Sequence, residues 1–166
     1  VLAQDENGRD AYYTMSLTDG SFSEPLFVRD GKSIERVITD IQRVLYGVEY
    51  SGFKPSYAFF DKKLDKKVKA IQNAFPGASV QLADNTPDWR QMVIYVEGQN
   101  SSGEYYLFRD NQLNYIASAR AQVKPENVNP VEITAYKARD GLNIPVLVTT
   151  PKNTPNNSPK LPAIML

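Results

Sequence analysis

The 166-residue chain contains no cysteine and no histidine. Without cysteine it can form no disulfide, no thiolate metal site and no cysteine nucleophile. Without histidine it lacks the usual general base and a common metal ligand, so it cannot by itself build a Ser-His-Asp hydrolase or a histidine-ligated zinc enzyme. These two absences exclude only sites that need a thiolate or an imidazole. The motifs considered below identify no catalytic residue, no metal site and no cofactor site in the sequence.

Excess charge and long apolar runs are missing as well. Lys and Arg number 19, as do Asp and Glu, so the net charge is zero. A nucleic-acid-binding protein needs a basic surface, and we therefore expect no nucleic acid as partner. No segment approaches the roughly 18 apolar residues of a membrane helix, so no membrane span is expected. The 42% of hydrophobic residues is enough for a folded core in a chain about one domain long.

Short alternating segments with tight turns dominate the first part of the chain. The Asp19-Gly20 turn separates the first two predicted strands, and the fourth is expected to break at Gly47. The predicted strands are residues 12–17, 25–29, 34–38 and 44–50. Segments of this kind are typical of an antiparallel meander.

One helix is predicted at residues 62–75. Its apolar residues recur at helical spacing, Asp61 is a suitable N-cap, and Pro76-Gly77 ends the pattern. Five lysines, at positions 62, 63, 66, 67 and 69, lie on this segment. We interpret them as the solvated face of an amphipathic helix rather than a nucleic-acid patch, because charge is balanced and no aromatic residues are interleaved.

The second half divides into a meander and a different terminal region. Four strands in about forty residues match the period of one propeller blade. They are predicted at residues 79–83, 91–97, 104–109 and 113–117. A connector bracketed by Pro125 and Pro130 leads to strands at 131–138 and 144–150, and we place a domain boundary near 125–130. Because the sequence closes on the apolar run 161–166, we expect it to be a piece of a longer protein.

Several motif-like patterns are better explained as turns. Residues 77–81 lack the last glycine of a nucleophile elbow and follow a helix. Residues 98–103 have the glycine spacing of a P-loop without its Lys-Ser/Thr, and are predicted as a hairpin turn. Residues 5–8 lack the ligands of a calcium loop. Residues 100–102 fit the N-glycosylation pattern, whose use depends on a compartment that the sequence does not identify.

Aromatic and acidic residues are further candidates for binding or catalysis. Trp89 and the ten tyrosines are able to stack on a sugar or a peptide, but aromatics in β-meanders mostly pack within sheets. Paired carboxylates catalyse glycoside hydrolysis without histidine, yet nothing in the sequence brings two acids together. We therefore expect the aromatic residues to pack within sheets and the acidic residues to form no catalytic site.

Residues 133–152 closely resemble the beginning of the catalytic domain in prolyl-oligopeptidase-family serine peptidases, which include dipeptidyl aminopeptidases and acylaminoacyl peptidases. In that family a strand ends in an Arg-Asp-Gly turn, as at 139–141, continues through Ile-Pro, as at 144–145, and reaches a Pro-Lys loop, as at 151–152. The next strand begins Leu-Pro and leads to a His-Gly-Gly-Pro segment that helps form the oxyanion hole. Residues 161–166 resemble that strand, and the sequence stops where His-Gly-Gly-Pro is expected.

The preceding region is similar to the final propeller blade of the same family. The features that carry this similarity are Asp-Trp-Arg at 88–90, the apolar strand 93–96 and the Gly-x-Tyr-Tyr-Leu strand 103–107. The helix ending in Phe-Pro-Gly at 75–77 resembles an insertion that some bacterial members carry before that blade. The resemblance is carried mainly by 131–166 and by the blade-like stretch before it.

The resemblance implies a mainly β fold. Residues 1–125 would be the C-terminal, incomplete blades of an antiparallel β-propeller with one inserted helix. Residues 126–166 would be the connector and the first strands of a truncated α/β-hydrolase domain. These first strands, 131–138 and 144–150, should form a hairpin in a sheet of their own. The whole should be an open set of antiparallel sheets whose edges are covered by the rest of the parent protein or by another chain.

The resemblance also implies a function. The chain would be the non-catalytic part of a serine peptidase that removes dipeptides or acyl-amino acids or cleaves short peptides, with the propeller part gating access. Its partners would be peptide substrates and the remaining propeller and hydrolase parts, and an oligomer is left open. The triad would lie beyond Leu166, so the chain alone should be inactive. A bacterial cytoplasmic or periplasmic location is implied, without a choice between them. The alternative is a propeller-like binding module without activity.

Overall fold

The computed structural model describes residues 1–6, 8, 10–98, 101–152 and 162–164. Within these residues the chain is mainly β, with antiparallel sheets, one α-helix and no closed barrel. The predicted mainly β class and the open arrangement of antiparallel sheets are therefore confirmed. In this part of the chain no helix combines the length and the apolar composition needed to cross a bilayer.

The described strands form four separate sheets. The strands are β1 (Leu2–Gln4), β2 (Asp10–Tyr12), β3 (Ile34–Thr39), β4 (Leu45–Tyr50), β5 (Ser56–Phe59), β6 (Ser79–Asn85), β7 (Met92–Gly98), β8 (Ser101–Arg109), β9 (Gln112–Ser118), β10 (Val131–Lys137) and β11 (Asn143–Thr149). Neighbours in each sheet follow chain order: β1-β2, β3-β4-β5, β6-β7-β8-β9 and β10-β11. The helix, α1, spans Lys62–Asn73, and a 3-10 turn spans Pro125–Asn127.

The main core lies between α1 and one face of the four-stranded sheet. Alternate residues of β6, β7 and β8 point to this face because side chains alternate along a strand. The helix contributes its buried residues at helical spacing, as the sequence predicts. Buried members of this core are Leu64, Val68, Ile71, Val80, Leu82, Met92, Ile94, Val96 and Phe108. Met92 is fully buried, which places the centre of this core on β7.

The three-stranded sheet joins the same core through β5. Tyr57 and Phe59 on this strand are buried, and the backbone N–H of Leu82 donates to the Tyr57 hydroxyl at 2.9 Å. The predicted break at Gly47 is wrong, because β4 runs through that residue. A Cβ at Gly47 would collide with the carbonyl oxygen of Ala58 and with Phe59, so the glycine permits close strand packing.

The predicted helix and its cap are confirmed. Asp61 Oδ1 accepts a hydrogen bond from the backbone N–H of Lys63 at 2.7 Å, as an N-cap does. The helix ends at Asn73, slightly before the predicted boundary, and Gly77 follows with a φ of +84°. Most of the helix lysines are exposed, in agreement with a solvated face, while Lys67 Nζ reaches the Trp89 carbonyl oxygen at 3.2 Å.

The predicted strands at 12–17 and 25–29 are wrong in extent. Strand β2 ends at Tyr12, and the segment that follows forms only isolated bridges, such as that between Tyr12 and Leu26. Phe27 has a left-handed φ of +57°, which interrupts an extended run. The Tyr50 hydroxyl donates to the Phe27 carbonyl oxygen at 2.8 Å and holds this bend.

The second half agrees with the sequence prediction. Strands β6 to β9 form the expected four-stranded antiparallel meander, and β10 and β11 form the expected hairpin in a separate sheet. Strands β1 and β5 were not predicted. Of the predicted terminal strand, residues 161, 165 and 166 lie outside the described residues, and 162–164 are exposed without strand pairing. The domain boundary near 125–130 stays a prediction.

Candidate functional site

A cavity of about 430 Å³ lies where the β7-β8 end of the four-stranded sheet meets the connector and the β10-β11 hairpin. Its volume is in the range of small-molecule sites, roughly 300–1,000 Å³. The apolar wall consists of Phe53, Val123, Val128, Val131, Ile133 and Leu147. The lining residues on the four-stranded sheet are 79, 97, 98, 101 and 102, so the hairpin and the sheet line one space.

The turn between β7 and β8 forms the floor of this cavity. The Ser101 hydroxyl donates to the Val96 carbonyl oxygen at 3.3 Å and accepts from the Gly103 N–H at 3.2 Å. Gly103 has a φ of +108°, and a Cβ there would collide with the Tyr95 ring. Glycine is therefore required at 103, and the predicted hairpin turn is confirmed in the described residues, with positions 99 and 100 outside them.

Hydrogen bonds from this turn hold the start of the connector. The Ser102 hydroxyl donates to the Val123 carbonyl oxygen at 3.2 Å, and the Arg120 guanidinium donates to the Ser102 carbonyl oxygen. The backbone N–H of Ala119 donates to the Gly103 carbonyl oxygen at 2.8 Å. These bonds fix the direction in which the chain leaves the four-stranded sheet toward the hairpin.

Three charged residues border the cavity: Lys54, Glu97 and Arg120. The Tyr95 hydroxyl donates to Glu97 Oε2 at 2.8 Å. Burial and this carboxylate raise the pKa of Tyr95, and the Arg120 guanidinium opposes the shift. Two positive charges face one carboxylate, so the border carries a net positive charge.

The hydroxyl groups of Ser101 and Ser102 are not arranged for acyl transfer. Both Ser101 and Ser102 donate to backbone carbonyl oxygens, and the Glu97 carboxylate accepts from a tyrosine instead of a serine. A serine nucleophile needs an adjacent base to take its proton. Within the described residues no group of three or more acidic side chains could hold a metal ion.

The other motifs singled out in the sequence do not gather at the cavity. Trp89 is buried, 7% exposed, with Tyr46 and Phe59 at ring distances of 5.4 Å, so the packing prediction is confirmed for this residue. Asp5 accepts from the Gly8 N–H at 2.9 Å in a simple turn. Asn100, of the glycosylation pattern, lies outside the described residues.

Sequence reasoning did not find the charged residues of the cavity. Glu97 and Arg120 are far apart in the chain. The register of β7, β8 and β9 brings the ends of their strands side by side, and the Arg120 guanidinium reaches the Ser102 carbonyl oxygen. Comparison with known proteins finds no family whose model matches the chain, no similar curated protein and no similar solved structure.

Proposed function

We propose that the chain is the non-catalytic part of a serine peptidase similar to the prolyl oligopeptidase family. In this proposal residues 1–125 supply the last propeller blades, and 126–166 supply the connector and the first hydrolase strands. The parent enzyme removes dipeptides or acyl-amino acids or cleaves short peptides, and the propeller part controls which peptides reach the active site.

The observation that carries this proposal is the uncovered β10-β11 hairpin. It follows the 3-10 turn at Pro125–Asn127, pairs only with itself among the described strands, and exposes every residue of β10. Large apolar side chains stand on both of its faces, including Ile133 at 51% and Tyr136 at 50% exposed. Two-stranded hairpins are marginal alone, so such a hairpin is expected to belong to a larger sheet.

The second face of the four-stranded sheet supports the propeller part of the proposal. Opposite the core face, Val93 pairs with Leu107 and Tyr95 pairs with Tyr105, whose rings lie 5.0 Å apart. All four side chains are half-buried. An antiparallel sheet with apolar side chains on both faces is suited to packing between two layers, as a blade packs between neighbouring blades.

The position of the cavity agrees with a gating role. It lies between blade-like and hydrolase-like strands, and the Arg120 and Ser102 hydrogen bonds hold the connector that joins them. A peptide passing between the two parts would meet apolar side chains and a positive border there. The chemistry itself is assigned to residues beyond Leu166.

The test compares this chain with a longer polypeptide that continues past Leu166. We expect no hydrolysis of aminoacyl-arylamides or acyl-aminoacyl-arylamides by the 166-residue chain. We expect turnover by the longer polypeptide, together with covalent labelling of one downstream serine by a fluorophosphonate. Replacing that serine by alanine is the matched control. A natural reading frame without a downstream Gly-x-Ser-x-Gly motif and triad histidine contradicts the proposal.

A binding module without activity is the second candidate, and the cavity favours it. Its apolar wall and positive border suit a ligand with an apolar body and a carboxylate. N-acetyl-leucine is a suitable probe for calorimetric titration of the isolated chain. Saturable binding that Ile133→Asp abolishes, with no peptidase domain in the reading frame, would favour this function over the peptidase.

A further inference from the structure

The outer edge of β10 has a regular pattern of outward-facing backbone groups. Antiparallel pairs alternate between hydrogen-bonded and non-hydrogen-bonded residues. The backbone N–H of Ala138 donates to the Leu142 carbonyl oxygen at 2.8 Å, so this pair is hydrogen-bonded. Even-numbered residues of β10 therefore bond to β11. The odd-numbered residues direct their N–H and C=O groups away from β11: Val131, Ile133, Ala135 and Lys137.

The position of Pro145 on β11 is consistent with this alternation. It lies opposite Ala135, where the N–H of β11 would point outward, and proline has no N–H to offer. The outer edge of β11 is thereby interrupted near its middle, which discourages pairing. Strand β10 contains no proline and no register shift along its seven residues. Of the two edges of the hairpin, only that of β10 presents a complete set of donors and acceptors.

The β10 edge is unpaired in the described part of the chain. No backbone hydrogen bond within that part involves the outward groups of Val131, Ile133, Ala135 or Lys137. All seven residues are exposed. An exposed edge of β-branched and aromatic residues is a template for pairing with a further strand.

We propose that the β10 edge pairs antiparallel with the β10 edge of a second copy of the chain. A two-fold axis through Thr134 brings all four outward-facing residues of each copy into hydrogen-bonded pairs, and two hairpins become one four-stranded sheet. In this register Val131 lies opposite Lys137 of the second copy, and Ile133 lies opposite its Ala135.

The charges on β10 favour this self-pairing. Glu132 lies opposite Tyr136 of the second copy and Lys137 lies opposite Val131, so no like charges meet across the new pair. Shifting either copy by two residues leaves outward donors unpaired. The second copy is therefore the occupant that this edge fits, and the proposal does not rest on the peptidase proposal.

The register makes a cross-linking test possible. Thr134 would face itself across the axis in a non-hydrogen-bonded pair, where Cα atoms are about 4.5 Å apart. That separation is within the roughly 4.4–6.8 Å span of a disulfide. Because the chain has no cysteine, Thr134→Cys introduces the single thiol. Val148→Cys is the matched control, since it stands on the same hairpin face but one strand farther from the axis.

We expect mild oxidation to convert most of the Thr134→Cys protein to a covalent dimer, with at least a tenfold lower yield for Val148→Cys. Equal yields, or no cross-link in either variant, would overturn the proposal. The size distribution of the unmodified chain is measured by sedimentation, where the mean mass should rise from 18.6 kDa toward twice that value with concentration. A mass that stays at 18.6 kDa up to the solubility limit also overturns it.

Two further pairs of variants separate edge pairing from loss of folding. Ala135→Pro removes an outward N–H and should weaken dimerisation at least tenfold, whereas Leu147→Pro, on the outer edge of β11, should not. Thr134→Lys and Thr134→Glu should each be monomeric because like charges face each other at the axis. An equal mixture of the two should restore dimers, and a mixture that stays monomeric contradicts the register.

Discussion

The sheet-helix region, residues 56–118, and the β10-β11 hairpin contain similar apolar residues. They differ in how much of those side chains is exposed to solvent. Ile94 in the sheet is 2% exposed, and Ile133 in the hairpin is 51% exposed. The sheet-helix region covers one sheet face with α1 and β5. Within the described residues, no side chain of the hairpin belongs to the buried core, and Val131, Ile133 and Leu147 line the cavity. The difference lies in what covers each strand.

This difference separates local from tertiary determinants of strand formation. Both regions have alternation, tight turns and regular antiparallel register. Only the sheet-helix region converts its apolar side chains into a buried core, which supplies most of the free energy of folding. We infer that the hairpin is held by its turn and its ladder, while its apolar surface is available to a further partner.

Replacing a matched pair of isoleucines should give the largest contrast. Ile94→Ala removes a buried side chain from the core and should lower the free energy of unfolding by about 2–5 kcal/mol. Ile133→Ala removes an exposed one and should change it by less than about 0.5 kcal/mol. Denaturant unfolding of both variants measures the contrast. Equal losses would show that the hairpin is buried in the protein in solution.

Two tyrosines provide a second matched pair. Tyr57→Phe removes the acceptor of the Leu82 N–H in the core, and an unsatisfied buried donor costs about 1–3 kcal/mol. Tyr136 is 50% exposed, so Tyr136→Phe should leave the free energy of unfolding nearly unchanged. Denaturant midpoints of both variants give the comparison. A Tyr136→Phe loss as large as that of Tyr57→Phe would refute the assignment of the core to one region.

Local patterns in the sequence were sufficient for the strongly periodic elements. Alternation predicted β6 to β9, and helical spacing with Asp61 predicted α1. The pairing of β10 with β11 was expected from the family resemblance rather than from a local pattern. Strand β5 has four residues, too few to establish a period. The predicted strand 25–29 failed because Phe27 adopts a left-handed conformation held by Tyr50, a contact between distant parts of the chain. The predicted strand 12–17 failed because Ser16 and Gly20 form a tight turn instead.

The cavity could not be predicted for a similar reason. Its wall combines the hairpin residues Ile133 and Leu147 with Phe53 from the loop after β4, and its border combines Glu97 with Arg120. The connector, held at its start by the Ser102-Val123 hydrogen bond, leads to the hairpin residues of the wall. The register of β7 to β9 places Glu97 near Arg120. Composition excluded only the chemistries that need a cysteine or a histidine, since the chain has neither residue.

The third contrast concerns carboxylates that hold backbone N–H groups. Asp61→Ala removes the N-cap of α1 and should cost about 1 kcal/mol in the free energy of unfolding. Asp61→Asn keeps an acceptor oxygen and should retain most of the stability that the N-cap provides. Asp140 accepts from the Leu142 N–H at 3.0 Å in the hairpin turn. Because the hairpin is outside the main core, Asp140→Ala should leave the denaturant midpoint unchanged and speed amide exchange only in β10 and β11.

The smallest expected effect is a loss of stability at alkaline pH, and it arises in the sheet-helix region. The Tyr106 hydroxyl donates to Glu104 Oε2 at 2.6 Å, and this hydrogen bond, with burial, raises the pKa of Tyr106 from 10.0 to about 12. The unfolded chain releases this proton at lower pH than the folded chain does. The contribution to stability is therefore complete below pH 10 and is lost as pH rises toward 12.

We expect the denaturant midpoint of the unmodified chain to fall across this pH window, and more gently in Tyr106→Phe, which has no proton to lose. Glu104→Gln removes the charge that disfavours tyrosinate, so the pKa of Tyr106 should fall and the slope should again flatten. Tyrosinate absorbance in the ultraviolet follows the titration directly. Coincident slopes in all three proteins would show that the Glu104 hydrogen bond does not control the alkaline stability of this sheet.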